Sequence, residues 1–417
     1  MTTSSRRVCN RDLFAVVFIC IVAGALLFWI TDRFRLQLIT MSIGGRWFQS
    51  DGWRVYDDMT SYEASHYRNN LRPLFSLITV PFTKLLAIIF GVRPIDTIWL
   101  FNFVSLSLWG SGIYVTCRLI GTRTVSAFLF SLLGLSSSAA LFWFSVPETY
   151  GLSSLVLVLS LLMTAVHIHR PVSNAVWILT GGLLAGTLIT NWMIIVLLAF
   201  TLKPRRDAIL ISIVSILLFF GGWAAQKIIF PAPAGFPGQT IMAEGEYVHS
   251  KDQGGVLCAL EGELVSSILA PEPKAIGEPE PTGHRLSMQC AKGYAVSPAF
   301  AIAAGIWLAL LIYGGVSMAR NKYTSQILLA WLAVLGYQVG LHVLYGEETF
   351  LYALHFAPLM ILISAGGFLS DKKPQLIWVL TCLIVFAALN NISQLAFALN
   401  SGNSGHTDSR IVQRLIF

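Results

Sequence analysis

The chain has 417 residues, of which 55 % are hydrophobic and only 12 % charged, and its formal net charge is +7. A mean hydropathy of +0.69, with repeated apolar runs of bilayer-spanning length, excludes an ordinary soluble domain. The basic excess sits in short clusters between apolar runs rather than along one surface, which argues against nucleic acid as a partner and for membrane topology.

Backbone N–H and C=O groups must pair internally in lipid, so each long apolar run predicts a helix. In chain order the spans are expected at about 13–31, 95–119, 124–143, 149–167, 173–190, 192–202, 208–230, 298–318, 326–344, 350–369 and 376–396. This is an all-α polytopic membrane protein of about eleven transmembrane helices. The first run lacks a small-residue cleavage site at Thr31-Asp32-Arg33 and reads as a retained span. The run PLFSLITVPFTKLLAIIF, 73–90, is different, because Pro81 interrupts it and Lys84 at the bilayer centre would cost about 2.5–3.5 kcal/mol.

Charge bias decides the case of 73–90. If this run does not cross, Arg118, Arg123, His167, His169, Arg170, Lys203, Arg205, Arg206, Arg320, Lys322, Lys372 and Lys373 all fall on the side of Arg6 and Arg7; if it crosses, all fall opposite. The run is therefore expected to lie along or partly into the outer interface. The outer side then receives residues 32–94, the VPET loop 146–149, the loop 231–297, and 345–349. Three stretches follow: a transmembrane module 1–230 that includes the first outer loop, an extracytoplasmic loop 231–297, and C-terminal helices with a tail, 298–417. Asn191-Trp192 breaks the apolar run 173–202, and a broken pair is tolerated where it lines a cavity. The Pro-rich loop 231–297 is expected to be largely irregular, apart from a short amphipathic helix within 255–269 lying on the membrane or over a cavity. Cys258 and Cys290 share this loop, where an oxidising compartment would allow a disulfide.

The segment DGWRVYDDMTSYEASHYRNNLRPL, 51–74, concentrates charge in an oily chain and interleaves it with aromatics. Solvation of a loop is the plain explanation. Aromatic residues, however, favour an interfacial seat, where carboxylates and guanidinium groups meet lipid headgroups.

Asp51 shortly before Tyr56, then Arg72-Pro73-Leu74 opening an apolar helix, then Val146-Pro147-Glu148-Thr149-Tyr150 opening a span, resemble the GT-C superfamily of polyprenyl-phosphate-sugar glycosyltransferases. Protein O-mannosyltransferases and lipid A aminoarabinose transferases belong to that group. The resemblance implies a GT-C-like bundle with outer-face juxtamembrane helices and a long outer loop. It implies transfer of a sugar, with inversion, from a polyprenyl-phosphate donor to an extracytoplasmic glycan, glycolipid or protein, at the outer face of the cytoplasmic membrane. Such a reaction needs a base for the acceptor hydroxyl and cations for the departing phosphate. Asp51 is preferred as base on spacing, with Asp58 and Asp57 as alternatives. Arg72, Arg68, Arg54, Lys84 or His66 are the candidates for the phosphate, the arginines favoured for their bidentate fork. Glu148 would orient the acceptor, or hold a divalent cation (Mg or Mn) with Asp51; a metal stays open, since relatives differ. Tyr56, His355, Glu347, Glu348 and Asn191 are expected to line the same cavity. The competing classes are a transporter or flippase of a lipid-linked sugar and a non-catalytic GT-C-like membrane protein.

Overall fold

A computed structural model of the chain describes residues 10–43, 46–230, 235–248, 254–280, 283–290, 293, 296–369 and 374–401. The fold is helical: α1 Asn10–Arg33, α2 Arg35–Ile43, α3 Gly52–Thr60, α4 Pro73–Phe90, α5 Pro94–Ile120, α6 Thr124–Ser136, α7 Ser138–Trp143, α8 Tyr150–His169, α9 Asn174–Thr187, α10 Trp192–Leu202 and α11 Arg205–Ile229. After these come α12 Pro237–Ala243, α13 Val256–Glu261, an antiparallel hairpin of β1 Lys274–Glu280 and β2 Gly283–Ser287, α14 Pro298–Arg320, α15 Ser325–Leu344, α16 Ala353–Ala365 and α17 Pro374–Ser401. Proline opens α4, α5 and α14 in their first turn, where its missing N–H costs nothing. Gly91 and Gly121 close α4 and α5 in the left-handed conformation.

Among the described residues, 9 helices are long and apolar enough to cross a membrane, and α6 and the stretch Ile189–Leu202 are shorter apolar helices. The protein is thus a polytopic helical membrane protein. Every residue of α16 is buried, and α6, α8, α14 and α15 pack around it. Glycines set the closest approach between α9 and α11: a Cβ on Gly181 would meet Ser215, and one on Gly182 would meet Leu218.

The two ends of the bundle differ. At one end Arg118 Nε donates to Asp12 at 2.8 Å, His169 Nε2 lies 2.8 Å from the Leu119 carbonyl, Lys203 Nζ donates to the Val172 carbonyl at 3.2 Å, and Thr122 pairs with Leu369. The described basic loops are gathered there; Arg6, Arg7, Lys372 and Lys373 lie outside the described residues. At the other end Arg72, which opens α4, donates to Thr149 before α8, while just beyond the far end of α4 Asp96 pairs with Arg35 at the start of α2. Both ends of α4 are therefore tied to one end of the bundle, although α4 is continuous through Pro81 and has the length of a span. α5 and α8 run to the opposite end.

Three expectations are corrected. The run 124–143 is two helices, because Ser137 leaves the helix and its Oγ caps α7 by accepting from Ala140 N–H at 3.2 Å. The first helix of the broken pair ends at Thr187, and a 3-10 turn over Ile189–Asn191 leads into α10. The loop 231–297 is more ordered than its prolines suggest. PEPKAIGEPE supplies β1, and 255–269 holds the short helix α13, with Val256 and Leu257 exposed, followed by a buried π-helical turn, Gly262–Ser266. That turn is seated by hydrogen bonds from Ser138 N–H to the Ile268 carbonyl and from Ala139 N–H to the Ser267 carbonyl. Asn391 of α17 completes the seat: its Oδ1 accepts from Ala270 N–H at 2.7 Å, and its Nδ2 donates to the Ser136 and Ile268 carbonyls.

Candidate functional site

The segment after α2 forms α3 because Val55, Asp58 and Met59 recur at helical spacing and face inward. The same periodicity puts Asp51, Arg54 and Asp58 on one side. Arg54 bridges the two aspartates, donating Nη1 to Asp58 at 2.8 Å and Nη2 to Asp51 at 3.0 Å. The backbone then turns through His66 in the left-handed region into a 3-10 helix, Tyr67–Leu71, whose Arg68 donates to the same Asp51 oxygen at 2.7 Å. Arg72 follows, donating to Thr149 Oγ1 at 2.7 Å, its guanidinium 5.3 Å from the centre of the Tyr150 ring. Beside it, Glu148 Oε1 accepts from Thr149 N–H at 2.6 Å and from Thr149 Oγ1–H at 2.9 Å.

These groups wall a cavity of about 480 Å³. Asp51, Arg54, Arg68, Arg72, Glu148 and Tyr150 line one part, and Gln49, Tyr67, Tyr247, Arg285, Tyr345, Glu347 and Tyr352 are among the residues that line the remainder. Gln49 donates to Glu347 at 3.0 Å, and the roof is pinned by the pairing of Val248 with Tyr345 and by Leu286 N–H to the Arg46 carbonyl at 2.9 Å. A second cavity of about 240 Å³ shares Arg68, Arg72, Tyr150, Tyr345 and Tyr352 with the first. Its other walls are mostly apolar: Leu71, Leu188, Ile189, Ile241, Val248 and Leu341, with Thr190 and His342. The break between α9 and α10 thus does line a cavity.

Electrostatics separate the two carboxylates. Burial alone would raise the Asp51 carboxyl, but Arg54 and Arg68 outweigh it and hold the group below its ordinary value. Burial raises Glu148, against the opposing pull of Arg72 and the Thr149 N–H. Burial would likewise lower Arg72, but Tyr150 and Glu148 outweigh it, and the guanidinium stays charged.

Of the residues the sequence singles out, Asp51, Glu148, Arg54, Arg68, Arg72 and Glu347 meet in this cavity. The others do not line it. Asp58 and His66 are buried behind Arg54, with Oδ1 and Nδ1 3.1 Å apart, and Asp57 lies on a different side of α3. Tyr56 stacks on Trp53, and Lys84 is exposed on α4. Glu348 is buried as an anchor for the hairpin, accepting from Ser287 Oγ–H and, at 3.3 Å, from Met288 N–H. Asn191 accepts from Gln338 Nε2 at 3.3 Å within the bundle, adjoining the wall residue Thr190. His355 is buried behind Tyr150, with ring centres 5.3 Å apart. Sequence reasoning missed the tyrosine wall (Tyr67, Tyr247, Tyr345 and Tyr352) and Arg285. The aromatics flanking each outer loop were the available signal; Arg285 had none, because only the hairpin brings it over the cavity.

Asp51 and Glu148 do line one cavity, yet a divalent cation does not fit between them. Asp51 Oδ2 already accepts from two guanidinium groups, and the cation would face Arg54, Arg68 and Arg72. Among the described residues no group of three or more His, Cys, Asp or Glu side chains converges on a common point. Cys258 and Cys290 are joined in a disulfide with Cα atoms 5.3 Å apart. Fold and site together define a polytopic helical membrane protein whose arginine-rich polar cavity opens beside an apolar one. Neither the protein-family models nor the curated protein sequences include a match to this chain.

Proposed function

We propose that this protein is an inverting membrane glycosyltransferase of the GT-C type, taking a sugar from a polyprenyl-phosphate donor. The observation that carries the reading is the shared wall: Arg68 and Arg72 stand between a polar cavity lined by the carboxylates Asp51, Glu148 and Glu347 and a mostly apolar cavity. An amphiphile with a phosphate at its neck matches that arrangement, the first isoprene units lying in the apolar chamber and the phosphate on the arginines. The acceptor hydroxyl attacks the anomeric carbon and the carbon–oxygen bond to phosphate breaks. Asp51 takes the hydroxyl proton, and the phosphate leaves with the bonding electrons onto the guanidinium groups. Glu148, whose hold on its proton is strengthened by burial, orients the acceptor. Each of these roles uses only side chains that line the cavity.

Gathering of the described basic loops at the opposite end supports a cytoplasmic N-terminus and an outward-facing site. The disulfide at the cavity end supports the same orientation, since such bonds persist outside the cytosol. The acceptor is an extracytoplasmic glycan, glycolipid or protein. The test is sugar transfer by purified protein from a polyprenyl-phosphate sugar. Asp51→Asn should lower the rate roughly 10²–10⁴-fold, the range for loss of a general base. Asp57→Asn should stay near the parent. Full activity in Asp51→Asn sinks the mechanism.

A further inference from the structure

Arg54 stands between two aspartates in different settings. Its Nη1 donates to Asp58 at 2.8 Å, while Nε and Nη2 donate to Asp51 at 3.3 and 3.0 Å. The Asp58 side chain is 1 % exposed and the Asp51 side chain 40 %. Behind Asp58 a chain of hydrogen bonds holds both its side chain and its backbone. His66 Nδ1 lies 3.1 Å from its other oxygen, and His66 Nε2 lies 3.1 Å from the Ser61 carbonyl. Ser76 Oγ donates to the Asp58 carbonyl at 2.8 Å and accepts from Asn69 Nδ2 at 2.6 Å. The Arg54–Asp58 contact is therefore fixed, whereas the Nε–Nη2 edge meets a half-exposed carboxylate on the cavity wall. Arg68 donates to that same carboxylate oxygen. A phosphate entering here meets Asp51 as its rival for both arginines, because a guanidinium edge serves a carboxylate or a phosphate in the same geometry.

We propose that Asp58, braced by His66, is a positioning residue that holds Arg54 in place while an entering phosphate displaces Asp51 from it. Donor binding and release of the Asp51 carboxylate then become one event. Before the donor arrives, two guanidinium groups occupy Asp51 and make it a poor proton acceptor. With phosphate on both arginines, the carboxylate is free for the acceptor hydroxyl, which orders donor before acceptor. No covalent bond changes in this step; only hydrogen bonds exchange. The proposal rests on the reading of this cavity as a phosphate site and not on the transfer reaction itself.

The experiment is calorimetric titration of the purified full chain in detergent with farnesyl phosphate and, separately, with inorganic phosphate. Asp51→Asn should bind both probes about three- to tenfold more tightly, because the rival charge is gone. Asp58→Asn should bind them more weakly by a similar factor, since Arg54 then collapses onto Asp51, and adding Asp51→Asn should recover the loss. If Asp58→Asn does not fold, Arg54→Lys replaces it. A lysine cannot serve Asp58 and the anion at once, so binding weakens and the gain from Asp51→Asn shrinks. A purely structural Asp58 predicts a lower melting temperature with unchanged affinity, and that result overturns the proposal. Unchanged or weaker binding by Asp51→Asn also overturns it. If the affinities move as expected but no sugar is transferred, the glycosyltransferase reading falls and the displacement stands. If sugar is transferred and the affinities do not move, the displacement alone falls.

Discussion

Asp51 and Glu148 are both carboxylates on one cavity wall, yet their surroundings push them in opposite directions. Asp51 is held below its ordinary value by Arg54 and Arg68, and Glu148 is raised by burial. The signs follow from proton linkage. Stability from the Asp51 pairing is complete above the ordinary aspartate value, about 3.9, and is lost as pH falls through the depressed folded value. Glu148 keeps a proton that the unfolded chain releases above about 4.3, so its contribution declines as pH rises from there through its raised folded value. Melting curves from pH 3 to pH 8 should therefore diverge by variant. Asp51→Asn should melt below the parent at neutral pH and converge with it in acid. Glu148→Gln should melt above the parent at neutral pH, because the amide carries no charge to desolvate. At this scale the residue types were legible in DGWRVYDD and VPETY. Which aspartate faces the cavity was not, because Asp51 and Asp58 share one side of a helix and differ only in what packs behind them.

Among the elements, α3 is the one on which the site depends, since it carries Asp51, Arg54 and Asp58 together. Its entry is constrained by a close approach: a Cβ on Gly52 would lie 2.1 Å from the Ser42 carbonyl oxygen, which is backbone and cannot rotate away. Gly52→Ala should cost about 1–3 kcal/mol in denaturant or thermal unfolding and should also lower transfer, because α3 must shift away from α2. Gly91→Ala is the control for backbone strain without crowding, since nothing lies within 4 Å of its added Cβ. The placement of α4 was read from charge bias: its composition resembles a span, and only the basic loops required both its ends to lie together. The hairpin was not legible. PEPKAIGEPE is rich in residues that disfavour strands, and its partner β2 is held from distant segments: the Arg46 carbonyl accepts from Leu286 N–H, Glu348 accepts from Met288 N–H, and Gln289 just beyond β2 accepts from Thr349 N–H.

Across the whole molecule, the roof of the cavity is held from three sides: to Arg46 through Leu286, to Glu348 through Ser287 and Met288, and to α13 through the disulfide from Cys290 to Cys258. The disulfide closes a loop of separation 32, for which a contribution of about 3–4 kcal/mol to that region is typical. Replacing both cysteines by serine should raise hydrogen exchange across 283–289 and lower transfer by loosening Arg285 over the cavity. Exchange in α5 and α8 should stay at the parent level, because their protection comes from the buried bundle. Equal deprotection of bundle and roof would count against a locally held roof.

Composition and span parity by themselves determined that the chain is a helical membrane protein, that its described basic loops gather at one end, and that the described residues of 32–94, 146–149, 231–297 and 345–349 come together at the other. Those follow from local physics: the cost of an unpaired backbone in lipid and the asymmetry of charge across a membrane. Tertiary structure alone decided that Asp58 and Glu348 are buried struts, that four tyrosines and Arg285 complete the wall, and that Arg68 and Arg72 divide a polar cavity from an apolar one. These depend on contacts between segments up to 298 positions apart, such as Gln49 to Glu347, and no periodicity within a single segment encodes a partner so distant.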